Sequence, residues 1–399
     1  MLSAISRAAA RSVVGAAPSA KGAARVLSAA RFASGKSSSD VWDEEAQTFH
    51  GGQDWAHISN FVEDFSVTTN PLGTPKKALE AARAACDTIC HYPPADFEPA
   101  ITDLAKWMWE GSDAVEGHSR LLLGNGASEL IDLCIRDGPI GTWKPAGPNA
   151  VQYKEYERSS LASGHKQVVY TDTNADLTCI VNPNNPTGEY MGVEDMKKWV
   201  EDNCKDGSHV IVDESMQPWV GAHWREDSLL MQQDWVKKMV EERDIHVFLM
   251  HSWTKIWSCT GVRLGSVVAP TRESLMRIRA KQVPWSVNSS ALAFLSEVVK
   301  DTEYMDETWE ITHVWRKLTV DELQKRHPTW EVHGKPFLSW LWLDCGSEEV
   351  AEQATQLAKA AGVPVRSGKP GYEEPTMVRI AVRHPDHLEL LLDAWKPLE

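Results

Sequence analysis

Short apolar runs alternate with longer amphipathic stretches through the middle of the chain. Two stretches, 193–204 and 228–243, repeat apolar residues at helical spacing and predict helices. The apolar runs have the length of buried strands: 168–171 (VVYT), 178–183 (TCIVNP), 209–215 (HVIVDES), 246–252 (HVFLMHS) and 264–270 (LGSVVAP). Strands that alternate with helices form right-handed βαβ units. The pattern therefore predicts an α/β fold with a mostly parallel central sheet covered by helices on both faces.

The two ends of the chain follow a different pattern. Residues 75–89 begin with a proline and continue at helical spacing. From about residue 290 a long helix is predicted, followed by short strands around 337–344 and 377–382, which is typical of a smaller α+β lobe. We predict four regions: a targeting segment at 1–39, an N-terminal arm with part of the small lobe at 40–90, a large domain at 91–290 and a small C-terminal domain at 291–399.

The formal net charge of −15 is unevenly distributed along the 399 residues. Residues 1–39 contain six basic side chains and no acid, so the rest of the chain carries −21. Because nucleic acids and anionic membranes bind positive surfaces, an acidic body argues against both as partners. No stretch approaches the roughly 18 apolar residues of a spanning helix. The seven cysteines form no CxxC pair, so no metal site is expected. A small-molecule partner is the expectation that remains.

The first 39 residues have the composition of an organelle-targeting peptide. They are rich in Ala, Ser and Arg, and the first acid of the chain is Asp40. Basic residues interrupt every apolar run, which excludes the continuous apolar block of a secretory signal. This composition favours a mitochondrial matrix address and leaves a plastid address open; the alternative is a disordered basic tail.

Polar side chains follow three successive predicted strands. Residues 182–188 (NPNNPTG) come after one strand, Asp213 ends the next, and Lys255 follows the third within SWTK. Ligands in such sheets bind beyond the carboxyl ends of the strands, so these groups are expected in one crevice. Arg263 and the Gly-rich turn GNGASEL (124–130), which leads into a predicted helix, can bind a phosphate. Together these groups supply the contacts that pyridoxal phosphate requires.

The ordered motifs GNGASEL, NPNNPTG, VDE, SWTK and GVRLG resemble the class I/II aminotransferase superfamily of fold type I pyridoxal-phosphate enzymes. The resemblance runs from His50 to the C-terminus. Within the superfamily the chain is most similar to the branch of histidinol-phosphate aminotransferase and threonine-phosphate decarboxylase. The segments nearest the decarboxylase are 49–52 (FHGG), 64–75 (DFSVTTNPLGTP), 91–97 (HYPPADF) and 283–292 (VPWSVNSSAL).

The resemblance implies a role for each matching residue around the cofactor. Lys255 binds the cofactor covalently and moves the proton, Asp213 pairs with the pyridine nitrogen, and Asn185 contacts the ring oxygen O3′. Tyr153 stacks on the ring. The implied phosphate ligands are Gly126, Ala127, Ser128, Ser252 and Arg263.

It also implies the substrate contacts and the assembly. Tyr92 matches a tyrosine that reaches the cofactor phosphate of a neighbouring subunit, so a homodimer is expected. Arg379 matches the arginine that binds the substrate's carboxylate or its anionic counterpart. Arg366 and His50 are expected at a second anionic group of the substrate. One position departs from most aminotransferases, because Met216 stands where they have a tyrosine bonded to O3′; the decarboxylase relatives also have an apolar residue there.

Three functions are compatible with this site. The favoured one is a pyridoxal-phosphate-dependent aminotransferase that acts on an amino acid or a phosphorylated amino compound, with 2-oxoglutarate as second substrate. The alternative is a decarboxylase that uses the same site, with the cofactor as the electron sink in both reactions. A catalytically silent relative is the third and is disfavoured, because every expected catalytic group is present.

Overall fold

The computed structural model describes residues 51–109, 113–146 and 150–399. These residues belong to one compact unit, Thr48–Glu399. The predicted targeting segment at 1–39 and the candidate residue His50 lie outside the described residues. Within the described part of the chain, no helix is both long enough and apolar enough to span a membrane. The domain boundaries at 90 and 290 stay predictions.

The larger sheet contains the strands that the apolar runs predict. Its strands are β1 Leu121–Asn125, β2 Thr142–Ala146, β3 Lys166–Gln167, β4 Leu177–Val181, β5 His209–Asp213, β6 His246–Ser252 and β7 Leu264–Val268. They lie side by side in the order β1–β7–β6–β5–β4–β2–β3. Strands β2 to β6 pair in parallel, whereas β7 is antiparallel to both β1 and β6. The α/β class with a mostly parallel sheet is therefore confirmed.

Helices cover this sheet and bury its apolar side chains. They are α1 Lys76–Ala84, α2 Ala100–Met108, α3 Asp113–His118, α4 Ala127–Asp137, α5 Glu155–Ala162, α6 Val193–Asn203, α7 Gln233–Arg243, α8 Trp253–Ile256, α9 Arg272–Lys281 and α10 Ser289–Val298. Side-chain caps fix where several helices begin, because they satisfy free backbone N–H groups. Thr271 accepts from the backbone of Ser274 before α9, and Asn288 accepts from Ala291 before α10.

The C-terminal part forms a second layer with its own sheet and core. The helices are α11 Thr302–Arg326, α12 Glu348–Ala360, α13 Lys369–Tyr372 and α14 Pro385–Trp395, and the strands are β8 Glu331–His333, β9 Trp340–Asp344, β10 Arg366–Ser367 and β11 Met377–Ala381. The strands pair antiparallel in the order β10–β11–β9–β8. Leu343, Ile380 and Trp395 pack between this sheet and the helices.

The segment 64–70 connects this small sheet with the turn that follows β6. Arg383 is almost fully buried and donates hydrogen bonds to backbone carbonyls of residues 64, 67 and 69. Asn70 then donates from its backbone to the carbonyl of Lys255 at 2.9 Å, and from its amide to the carbonyl of Ile256 at 2.9 Å. One continuous piece of chain therefore joins the C-terminal sheet to the Lys255 turn.

The structure corrects two predicted elements. The run 168–171 is not a buried strand. The strand β3 ends at Gln167, before the run begins, and Val169 and Tyr170 are 68% and 48% exposed. The helix predicted over 228–243 is divided into a 3-10 turn, Leu229–Met231, and α7. Glu214 holds the start of the turn by accepting from the backbone of Leu229 and from the hydroxyl of Ser228, and Gln232 separates the turn from α7 with a non-helical ψ of 41°.

Candidate active site

A cavity of about 80 Å³ lies at the carboxyl ends of β4, β5 and β6. The polar groups predicted to converge do so, because parallel strands bring their carboxyl ends to one edge of the sheet. The cavity is lined by Ala127, Ser128, Tyr153, Val181, Asn185, Asp213, Ser215, Met216, Ser252, Thr254, Lys255 and Arg263.

Asp213 is held at the end of β5 by two hydrogen bonds. One carboxylate oxygen accepts from the backbone of Ser215 at 2.9 Å, and the other accepts from the hydroxyl of Tyr156 at 2.9 Å. Burial raises the pKa of Asp213, although its hydrogen bonds with Ser215 and Tyr156 and the charge of Lys255 act in the opposite direction. A protonated nitrogen placed in the cavity would compensate this buried carboxylate.

Lys255 lies in the short helix α8 directly after β6. Its amine is 3.5 Å from the hydroxyl of Thr254. Burial, together with the nearby cations Arg263 and Arg379, lowers the pKa of Lys255 to about 8. A lysine with a lowered pKa keeps a reactive neutral fraction near neutral pH.

Several of the chain's 18 tryptophans pack around this lysine turn. The ring centroid of Trp107 lies 5.5 Å from that of Trp253 and 5.3 Å from that of Trp257. Trp253 and Trp257 also stack on each other at 5.2 Å. Because aromatic rings are large and rigid, this packing leaves the turn little freedom to move.

The start of α4 and Arg263 form a cradle with the size and charge for a phosphate. Gly126 has a φ of 76°, and a side chain there would collide with the guanidinium of Arg263. A side chain at Gly265 would collide with the backbone of Ala127. The first backbone N–H groups of α4 and the Arg263 guanidinium therefore face the same small space, which suits an anion. Ser128 and Ser252 line the same cavity.

A second cavity of about 100 Å³ shares Tyr153, Asn185 and Lys255 with the first. Its other lining residues are Gly51, Ser66, Val67, Thr68, Arg366, Tyr372 and Arg379. Asn185 accepts a hydrogen bond from Arg379 at 2.5 Å through its amide oxygen, which leaves its amide nitrogen as a donor. The cavity therefore joins the lysine to two arginines.

Arg366 and Arg379 are directly opposite each other on β10 and β11. Both are about 95% buried. Arg379 donates to Asn185, to the hydroxyl of Tyr372 and to the backbone carbonyl of Ser66, which are all neutral acceptors. Its Nε has no hydrogen-bond partner among the described residues. The cavity wall therefore carries positive charge that an anion would compensate.

The structure places the remaining sequence-predicted residues differently. Tyr92 is 78% exposed and stacks on Trp285, with ring centroids 4.3 Å apart, beside a surface cavity of about 600 Å³. Tyr92 lines neither of the two cavities that contain Lys255. His50 lies outside the described residues, but the next residue, Gly51, lines the second cavity near Arg366.

Sequence reasoning missed two tyrosines at the site. Tyr156 contacts Asp213 and lies one helical turn after Tyr153, a spacing that is visible in QYKEY. Tyr372 lines the second cavity and is the only aromatic residue between Arg366 and Arg379 in the sequence. Each tyrosine could have been found from its position in the sequence relative to candidate residues that were already predicted: Tyr153 for Tyr156, and the two arginines for Tyr372.

The comparison with protein families matches residues 62–394 to the family model "Aminotransferase class I and II". This match extends over most of the chain and includes every described candidate residue. The chain belongs to the class I and II aminotransferases. The predicted family, enzyme class and cofactor, pyridoxal phosphate, are thereby confirmed.

Relatives in this family include both enzymes of the predicted branch. A histidinol-phosphate aminotransferase of Hyphomonas neptunium is 27% identical over 349 residues, covering 82% of this chain and 88% of that protein. A threonine-phosphate decarboxylase of Salmonella typhimurium is 25% identical over 358 residues, covering 84% of this chain and 90% of that protein.

Solved structures agree on the fold. A histidinol-phosphate aminotransferase from Clostridium acetobutylicum superimposes with a TM-score of 0.69 at 23% identity, covering 84% of this chain and 99% of that one. The histidinol-phosphate aminotransferase from Sinorhizobium meliloti, in complex with pyridoxal-5′-phosphate, superimposes with a TM-score of 0.70 at 14% identity. This match covers 85% of this chain and 91% of that one.

The predicted mitochondrial matrix or plastid address is wrong. The relatives of this aminotransferase come from bacteria such as Hyphomonas, Salmonella, Ruegeria, Bdellovibrio and Dinoroseobacter. An Ala-, Ser- and Arg-rich segment is only a compositional signal, and it does not distinguish a targeting peptide from other basic segments.

The residues present fit pyridoxal phosphate. A buried carboxylate ends β5, a glycine-lined cradle beside an arginine suits a phosphate, and a lysine with a lowered pKa lines the same cavity. These groups match the pyridine nitrogen, the phosphate and the aldehyde of the cofactor in turn.

The pKa of Lys255 predicts how cofactor attachment depends on pH. Only the neutral amine can bond to an aldehyde carbon, and the Lys255 pKa is lowered to about 8 from 10.5. Covalent uptake of pyridoxal phosphate by the apoenzyme should therefore accelerate as pH rises, with a midpoint near 8. The uptake rate can be followed by visible absorbance, and the product can be quantified after borohydride reduction. A midpoint near 10.5 would contradict the lowered pKa.

Proposed function

We propose that this aminotransferase transfers the amino group of a phosphorylated amino compound, with 2-oxoglutarate as acceptor. The observation that carries the proposal is the pair of buried arginines, Arg366 and Arg379, facing each other across β10 and β11. Both guanidinium groups line the cavity that contains Lys255, and a guanidinium binds a carboxylate or a phosphate through two parallel hydrogen bonds. A substrate with two anionic groups can therefore engage both arginines.

Each residue of the site has a separate role in the proposed reaction. Bound in the cavity, pyridoxal phosphate supplies an aldehyde and an electron-accepting ring. Asp213 keeps a positive charge on the pyridine nitrogen, and Tyr156 orients Asp213. Gly126, Ala127, Ser128, Ser252 and Arg263 hold the phosphate, while Tyr153 and Asn185 fix the ring. Lys255 carries the cofactor and then moves the proton at the substrate's reacting carbon.

The substrate groups bind in the second cavity. Arg379 binds the carboxylate or its anionic counterpart, because it reaches Asn185 at the boundary of the two cavities. Arg366 binds the distal phosphate, and His50, next to Gly51, joins it there. Arginine suits both anions, since its planar fork donates two hydrogen bonds to one carboxylate or phosphate.

The proposed assembly is a homodimer. Tyr92, Ile89 and Trp285 are exposed and line the surface cavity, and Val283, two residues before Trp285, is exposed as well. A second copy of the chain that covers this patch would bury it, and Tyr92 would then contribute to the partner's cofactor site.

Replacing Arg366 by alanine tests the distal-phosphate assignment. A charge-assisted hydrogen bond contributes roughly 1.5–3 kcal/mol, so KM for a phosphorylated amino donor should rise about ten- to a hundredfold. KM for the same donor without its phosphate should change little. The exposed Arg272 provides a matched control, because its replacement by alanine should leave both values unchanged. Equal losses on both donors would contradict a distal phosphate site.

One observation favours a second candidate function, decarboxylation. Met216 lines the cofactor cavity with an apolar side chain, where a hydrogen-bond donor to O3′ is expected in most aminotransferases. The same assay distinguishes the reactions, because transamination releases an oxo product and consumes 2-oxoglutarate, whereas decarboxylation releases CO₂.

A further inference from the structure

Tyr372 stands between the two arginines of the second cavity. Its side chain is 6% exposed, and its hydroxyl oxygen lies 3.3 Å from Nη1 of Arg379. The guanidinium carbon of Arg366 lies over its ring, 5.6 Å from the centroid, and Arg366 also hydrogen-bonds to Tyr372. One phenol therefore contacts both cationic groups.

These contacts determine which way the hydroxyl can donate. A guanidinium has only donors, so the Tyr372 oxygen is the acceptor in both hydrogen bonds. A hydroxyl has two acceptor lone pairs and one proton, and the proton must therefore point elsewhere. Among the described residues, the Tyr372 hydroxyl makes no hydrogen bond in which it is the donor. Tyr372 lines the cavity that contains Lys255, so the proton is available to a ligand there.

The surrounding backbone and rings hold the phenol in place. Gly371 has a φ of 82° and Glu373 a φ of 61°, so both neighbours adopt left-handed conformations that turn the loop sharply at Tyr372. The ring packs edge-on against Trp342, with centroids 5.8 Å apart. Met377 completes this small apolar cluster. The hydroxyl is thus preorganised before any ligand binds.

We propose that Tyr372 is a specificity-determining residue that donates a hydrogen bond to the distal anion beside Arg366 and selects phosphate over carboxylate. A carboxylate has two oxygens, which a bidentate guanidinium occupies. A phosphate has three terminal oxygens, so a further donor finds an acceptor on it. The inference rests on the proposed function, because it concerns the distal end of the same substrate site.

Kinetics of the Tyr372→Phe holoenzyme test this role. Phenylalanine keeps the ring and its contacts with Arg366 and Trp342 but removes the hydroxyl. KM for O-phospho-L-serine as amino donor should rise about tenfold, while KM for L-glutamate should change less than about twofold. The matched control is Tyr170→Phe, because Tyr170 is half-exposed and outside both cavities. A variant that weakens both donors equally would make Tyr372 a structural residue and overturn the proposal.

Calorimetric titration of the holoenzyme gives a readout that needs no turnover. Inorganic phosphate should bind wild-type protein about tenfold more tightly than the Tyr372→Phe variant, whereas acetate should bind both alike. Unchanged phosphate binding in the variant would overturn the proposal. If the wild-type enzyme transfers no amino group from either donor, the proposed function fails, and the phosphate titration still decides the role of Tyr372.

Discussion

Lys255→Ala should abolish covalent cofactor binding and reduce turnover by at least about a thousandfold. The amine is the nucleophile that lines the cavity, and its pKa is lowered to about 8, so it can also carry a proton near neutral pH. Positioned acid–base groups contribute about 10²–10⁴-fold to rates, and loss of covalent attachment adds to that. Visible absorbance of the bound cofactor and steady-state turnover measure the two effects.

Borohydride reduction followed by peptide mapping makes this test specific. In the wild-type protein the reduced cofactor should be attached to the peptide that contains Lys255, and in the variant no peptide should carry it. Lys198→Ala is the matched control, since Lys198 is exposed on α6 and pairs with Asp202 at the surface. Cofactor fixed to another lysine in the Lys255→Ala variant would reassign the anchor.

Asp213→Asn should retain the cofactor and lose turnover by about two to three orders of magnitude. The amide oxygen can still accept from the backbone of Ser215, and the amide nitrogen can donate to the hydroxyl of Tyr156, so the local structure should persist. It carries no charge, however, and cannot keep the pyridine nitrogen protonated. Removing one preorganised polar contact from a transition state costs roughly 2.7–4 kcal/mol.

Two measurements separate binding from catalysis in this variant. Absorbance titration should show bound cofactor, and turnover under saturating substrates should be low. Asp195→Asn on the exposed start of α6 serves as control for the loss of one carboxylate. Turnover equal to wild type would remove Asp213 from the site.

The errors of sequence reading come from local signals that tertiary contacts override. The run 168–171 is as apolar as the true strands, but at the sheet edge β3 pairs with β2 through only two residues. Val169 and Tyr170 consequently have no sheet neighbour to bury them. Hydrophobicity reports which residues could be buried, whereas pairing decides which are.

The sequence by itself determined the fold class and the cofactor side of the site. Asn185, Asp213 and Lys255 each follow an apolar run, and parallel strands necessarily bring their carboxyl ends to one edge. The glycine turn before α4 predicts an anion site from a short stretch of sequence alone, because the start of a helix exposes free N–H groups.

Only the tertiary structure decided the substrate side. The opposition of Arg366 and Arg379 depends on the register of β10 and β11, and a shift of one residue would turn one of them to the other face. The hydrogen bond between Tyr156 and Asp213 and the contacts of Tyr372 with both arginines join groups from separate elements. Such contacts depend on packing, because side chains far apart in the chain meet only after the strands and loops are in place.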